Sequence, residues 1–82
     1  MSIQTSSNTI DLRGKRAATA LMLLAEQLTE MGSNDAVFVV HGVGTGALRR
    51  EVHHYLKSEP AVERFEVEGA SHGGCTVVHL HK

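Results

Sequence analysis

The sequence predicts a small two-layer α/β domain with elements in the order β-α-β-α-β-β and both helices on one face of a four-stranded mixed sheet. Three observations predict it. An apolar run, Val37-Phe38-Val39-Val40, stops at a glycine-rich stretch, His41-Gly42-Val43-Gly44-Thr45-Gly46, and a helical apolar pattern starts after it. An earlier apolar stripe steps by four and three, and short alternating segments lie near both ends. Two strand-helix-strand units linked by right-handed crossovers place both helices on the same side, and the last two strands then close an antiparallel hairpin. With 82 residues, 41% of them hydrophobic and no Trp, there is room for one domain with a thin core.

Taken in order, residues 1–8 are polar and aperiodic and read as a disordered tail or linker, leaving 9–82 as the domain. Residues 9–13 alternate, with Ile10 and Leu12 on one face and Asp11 and Arg13 on the other, until Gly14 breaks the strand. From 15 to 31, Ala17, Leu21, Leu24, Leu28 and Met31 form the stripe of an amphipathic helix that Gly32 ends. Ser33, Asn34 and Asp35 turn the chain into a strand over 36–40, whose unbroken apolar character suits a central position with little exposure. After the glycine stretch, a second helix points Leu48, Val52, Tyr55 and Leu56 inward. Its Arg49, Arg50, His53 and Lys57 face largely outward, and Pro60 lies past its end. Phe65 and Val67 alternate with Arg64, Glu66 and Glu68 in a third strand. A loop over 69–74 leads into a fourth strand over 75–80, in which Cys75 reads as a small buried hydrophobe.

Charge and cysteine content narrow the function classes. The net charge of -1 argues against a chain coated in Lys and Arg, so nucleic-acid contact requires a local patch. Such a patch exists: Arg13, Lys15, Arg16, Arg49 and Arg50 lie near two neighbouring loops, whereas Glu59, Glu63, Glu66 and Glu68 cluster later. One cysteine excludes an internal disulfide and a cysteine-built zinc site and fits a reducing compartment, with the cytoplasm expected ahead of the nucleus or an organelle. No apolar run reaches the length of a membrane span. His53 and His54, adjacent on a helix, diverge and read as solvated. His79 and His81 share a strand face, but two ligands make an incomplete metal site, so they too read as surface.

The functional signal is the glycine stretch. Its glycines permit positive φ and leave no Cβ in the way, so an anion can approach the backbone while the first N–H groups of the following helix point at it. Thr45 can cap that helix, and Arg49 and Arg50 add positive charge one turn in. The topology sets the ends of the first two strands side by side, which brings Asp11, Arg13 and Gly14 within reach of His41 and the glycine loop. The loop entering the fourth strand, with Ser71, His72, Gly73 and Gly74, falls at the same rim. A carboxylate, several cations, histidines and free backbone amides at one rim point to phosphate chemistry.

Three segments also resemble, in order, the motifs of the Smr (small MutS-related) domain: Ile10-Asp11-Leu12-Arg13-Gly14, then His41-Gly42-Val43-Gly44-Thr45-Gly46 with Leu48-Arg49, then Gly73-Gly74-Cys75-Thr76-Val77-Val78. The resemblance is greatest to the C-terminal Smr domain of MutS-like ATPases, where the first motif carries Arg. It implies a fold like the C-terminal domain of a bacterial translation initiation factor, with the last strand inserted to give the order 1-2-4-3, the first strand at an edge, and Val77 and Val78 both buried. It also implies binding of DNA or RNA, with branched or structured forms expected, metal-assisted nicking endonuclease activity in several members, a ribosome-linked role in some, and attachment to a larger MutS-like ATPase. Asp11 and Arg13 of the first motif and His41, Gly42, Gly44, Thr45, Gly46 and Arg49 of the second are the implicated residues. Val43 stands where the family often has Lys or Arg, which removes one phosphate contact.

These readings combine into an expected phosphodiester hydrolysis. The loop amides and Arg49 hold the phosphate, Arg13 offsets transition-state charge, and His41 moves protons. Asp11 positions the nucleophile or binds Mg²⁺ or Mn²⁺, although one carboxylate is a thin basis for such a site. Gly14, Lys15, Arg50 and His72 complete the expected phosphate-binding set. The alternatives are a docking module for nucleic acid or the ribosome that cuts nothing, and a binder of phosphorylated small molecules in a deep pocket.

Overall fold

A computed structural model describes residues 8–31, 36–69 and 73–81. Residues 1–7 of the expected tail, the turn at 32–35, and Ser71 and His72 lie outside them. The elements are β1 (Thr9–Asp11), α1 (Ala17–Glu30), β2 (Ala36–Val40), α2 (Ala47–Ser58), β3 (Val62–Val67) and β4 (Cys75–Leu80). The sheet order is β1-β2-β4-β3, with β1 parallel to β2 and β4 antiparallel to both its neighbours. β4 is therefore interior and β1 is an edge, as the motif resemblance implies.

Burial follows the period of each element. Ile10 and Leu12, Val37 and Val39, and Val78 and Leu80 share the sheet face that meets Ala20, Leu24 and Leu28 of α1 and Val52 and Leu56 of α2. Fully burying a side chain such as Leu24 or Leu56 contributes about 1.5–3 kcal/mol, and these residues form the buried cluster on which partly buried side chains such as Leu48 and Phe65 pack. The α1 stripe starts one turn later than the sequence suggests, since Ala17 is exposed and Ala20 is fully buried.

With no helix among the described residues on the second sheet face, β2 is less enclosed than its apolar run implies: Ala36, Phe38 and Val40 are only half-buried. Val77 is less enclosed than Val78 for the same reason, because it pairs with Phe38 on that open face while Val78 points at the helices. His79, pairing with Ala36 and Arg64 there, is half-buried with its Nε2 3.9 Å from Glu66 Oε1. No helix among the described residues is long and apolar enough to cross a membrane.

Candidate functional site

β1 ends in a turn that the Asp11 carboxylate closes. Its Oδ1 accepts the Arg13 backbone N–H at 3.0 Å, an Asx turn, and Leu12 N–H makes the last ladder bond to Val40 O at 2.7 Å. The Arg13 guanidinium then closes on the same carboxylate, donating from Nε to Oδ1 at 3.0 Å and from Nη2 to Oδ2 at 2.8 Å. These hydrogen bonds, side-chain first and backbone second, hold the Asp11 carboxyl down at about 2. The pair lies in water, with the Arg13 and Asp11 side chains 64% and 52% exposed, so it adds little to stability. The Arg13 stem crosses the glycine loop, where a Cβ on Gly42 would sit 3.4 Å from Arg13 Cγ. The ends of β1 and β2 are thus joined by contact as well as by register.

The glycine loop is braced from β4. The N–H groups of His41 and Gly42 both donate to Gly74 O, at 3.0 and 2.9 Å, so the row of free amides expected from sequence is shorter by two. Thr45 Oγ1 accepts the Ala47 N–H at 3.3 Å, which caps α2 from one residue before Gly46, the cap position itself. Arg49 lies over bare glycine surface. Its Nη2 is 3.6 Å from where a Gly46 Cβ would stand, and its Nη1 only 2.8 Å from that of Gly73, so its head spans the loop and the entry to β4.

A groove of about 470 Å³ runs along this rim, lined by Gly14, Lys15, His41, Thr45 and Arg49 among others. Beyond Arg49 a second groove, lined by Arg50, His53, His54 and Lys57, continues along α2 and shares Thr45, Gly46 and Arg49 with the first. The predicted residues therefore fall into four groups. Asp11 and Arg13 form the turn beside the loop. Gly14, Lys15, His41, Gly42, Gly44, Thr45, Gly46 and Arg49 line the first groove. Arg50 lies in the second, and His72 lies outside the described residues.

His41 is the floor of the site, 4% exposed. Its Nδ1 is 3.1 Å from Gly42 O and its Nε2 is 2.8 Å from Thr76 Oγ1. The same hydroxyl lies 2.7 Å from His53 Nε2. His53 corrects its expected solvated placement: α2 leans on the sheet there, so the ring is half-buried, tilted against Phe65 at 4.9 Å and edge-on to His41 at 6.0 Å. Burial foremost, then the charges of His41, Arg49 and Lys57, push its pKa down. Sequence reasoning missed Thr76 as well. The available signal was a hydroxyl in an apolar strand, two residues before Val78, on the face that meets the helices.

The donors here fit a divalent cation poorly. Asp11 is the carboxylate of the turn, and both its oxygens already face the Arg13 guanidinium. Among the described residues no three His, Cys, Asp or Glu side chains converge on a metal-sized site.

The family model for the Smr domain matches residues 10–81, the span that carries the turn, the glycine loop and β4. The chain belongs to the Smr domain family. Curated relatives include proteins named Endonuclease MutS2: that of Ligilactobacillus salivarius is 38% identical over 90% of this chain, and that of Maridesulfovibrio salexigens is 46% identical over 79%. This Smr domain spans about a tenth of their length, 10% and 9% respectively. Among solved structures, the Smr domain of Thermus thermophilus MutS2 superposes with a TM-score of 0.86 at 34% identity, covering 92% of this chain and 99% of that one. The SMR domain of NEDD4-binding protein 2 superposes with a TM-score of 0.64 at 25% identity, covering all of this chain (100%) and 94% of that one.

Proposed function

We propose that this Smr domain binds DNA or RNA by its backbone phosphates and cleaves a phosphodiester bond at the same rim. The observation that carries the reading is the groove itself, where a glycine loop, the start of a helix and the Arg49 head converge beside Asp11 and Arg13. Loop amides beyond Gly42 and Arg49 hold the phosphate. Arg13, whose stem packs on Gly42, reaches the neighbouring oxygen and offsets charge as it develops. Asp11, held down at about 2, is a poor base, so it serves by orienting the attacking water and by fixing Arg13. His41 holds the loop, since both its ring nitrogens are engaged. The name Endonuclease carried by the MutS2 relatives supports the hydrolytic part, and their length, about ten times that of this domain, supports attachment to a larger MutS-like protein. Any Mg²⁺ or Mn²⁺ would have to take most of its oxygen ligands from phosphate and water.

One observation favours a second reading, a docking module for nucleic acid or the ribosome. A weakly basic Asp11 and an engaged His41 leave neither of the two residues expected to move protons or position the nucleophile as a free general base. Binding and cleavage assays on matched single-stranded, duplex and branched DNA and RNA, with and without Mg²⁺ or Mn²⁺ and across a salt series, separate the two. Nicking that disappears in Asp11→Ala while binding persists supports hydrolysis. Salt-dependent binding with no cleavage supports docking, and absence of binding to every substrate removes both.

A further inference from the structure

We propose that Thr76 and His53 are positioning residues for the glycine loop, acting through His41 to aim a backbone N–H at the bound phosphate; this rests on the phosphate reading above. Gly42 O can only accept, so His41 Nδ1, 3.1 Å away, carries a proton. A neutral ring then has a bare Nε2, which accepts the Thr76 hydroxyl proton at 2.8 Å. That hydroxyl has a single proton, so its other contact, His53 Nε2 at 2.7 Å, is the donor. With neutral rings one arrangement satisfies all three contacts: His53 Nε2–H to Thr76 Oγ1, Thr76 O–H to His41 Nε2, and His41 Nδ1–H to Gly42 O. Thr76 is fully buried and His41 nearly so, so solvent reaches the link between them poorly.

The chain ends on the atom that sets the loop. Gly42 N–H is already pinned by Gly74 O, and His41 pins its carbonyl. A trans peptide is planar, so fixing the Gly42 carbonyl fixes the opposite direction of the Val43 N–H. That N–H has no partner among the described residues and is the first unclaimed amide of the loop. A φ of +85° at Gly42 leaves this peptide free to flip in a chain lacking the restraint. The hydrogen-bonded chain therefore presents the loop ready-made, and it links α2, β4 and the loop after β2, segments distant in sequence.

The test pairs imidazole ¹⁵N NMR with binding. In the unmodified protein, long-range ¹H–¹⁵N spectra should show His41 as the Nδ1–H tautomer and His53 as Nε2–H. Thr76→Val, close in shape, should strip the donor from His41 Nε2 and move that ¹⁵N resonance, move the Val43 amide resonance, and weaken binding of fluorescein-labelled DNA and RNA strands about three- to tenfold, the worth of one hydrogen bond. Thr76→Ser should restore all three, which a purely space-filling role would not produce. His53→Leu, a change at a half-buried site, removes the donor that orients the Thr76 hydroxyl; it should move the His41 Nε2 resonance the same way by a smaller amount and keeps the test open if Thr76→Val does not fold. Finding His41 as Nε2–H in the unmodified protein, or its ring ¹⁵N resonances and the affinity unchanged in both variants, overturns the proposal. If the ring resonances respond as stated but the unmodified protein binds neither labelled strands nor inorganic phosphate, the phosphate reading fails and the aiming role fails with it, while the bonded chain stands.

Discussion

The turn that ends β1 and the loop that ends β2 meet at one rim but are held in opposite ways. Asp11 and Arg13 hold each other in open water, through contacts between residues two apart. The glycine loop is fixed from a distance, by Gly74 O on two of its amides and by the His41, Thr76 and His53 contacts beneath it. A local, solvated pair can be altered with little cost to the fold, because water competes for both partners. A buried polar network cannot, because each orphaned group is left without solvent. Under the proposed function, the turn is thus where chemistry would be tuned separately from stability, and the loop is where binding and folding would be coupled.

The largest expected effect tests the turn. Arg13→Ala should lower cleavage about 100-fold, the scale of losing one transition-state donor, with binding and melting temperature little changed. A comparable loss of affinity would mean that Arg13 grips the ground state and that the two regions are not separable. Next comes the loop. Gly44 has a φ of +38° and open space around it, so Gly44→Val meets backbone strain but no clash. Strain in the left-handed region should cost roughly 1–2 kcal/mol of stability, and blocking the phosphate approach should lower affinity more than tenfold. A calorimetric or denaturant melt beside a binding isotherm checks both. Arg49→Ala follows, with affinity down several-fold and the salt slope of duplex binding reduced by about 0.9, one phosphate contact. An unchanged slope would place its head against the glycines for packing alone.

A smaller effect distinguishes the regions by pH. The Asp11 carboxyl is held at about 2, below its ordinary 3.8, so the folded state favours its ionised form. Its contribution is fully present above the ordinary value and fades as pH falls from near 4 through about 2. Melting curves of the unmodified protein and Asp11→Asn should differ by a small constant amount at neutral pH and converge at the acid end of that window. A large difference would show that the turn supports the fold after all.

The fold was legible because its signals are local. Alternation at Ile10 and Leu12, the three-and-four stepping of Leu21, Leu24 and Leu28, and the stop at the glycines each belong to one segment. The order β1-β2-β4-β3 came from the motif resemblance, since no local pattern tells a hairpin strand to insert at the centre of a sheet. What was not legible depends on packing between segments. His53 looked solvated because it and His54, adjacent on a helix, diverge and cannot share a metal, yet α2 tilts its flank onto Phe65 and Thr76. His41 was visible as a strand-end residue, but that it lies beneath the loop follows from Thr76, thirty-five positions later. The pairing of Asp11 with Arg13 was readable, being a contact between residues two apart.

The smallest expected effect belongs to Lys57, and it marks how far the loop region extends. Two turns beyond Arg49, it lies roughly 12 Å along the α2 axis at 1.5 Å per residue, at the far end of the second groove. Its charge is felt at His53, so it is not remote from the network even though its side chain is exposed. A phosphate held by the loop and Arg49 would be beyond its direct reach, and a strand lying across the rim toward Arg13 would pass away from it. Lys57→Ala should therefore weaken binding by no more than about twofold, a screened contribution at that distance, with cleavage and stability unchanged. A loss equal to that of Arg49→Ala, with a matching drop in salt slope, would show that the strand follows α2, and the loop region would then include the whole outer face of that helix.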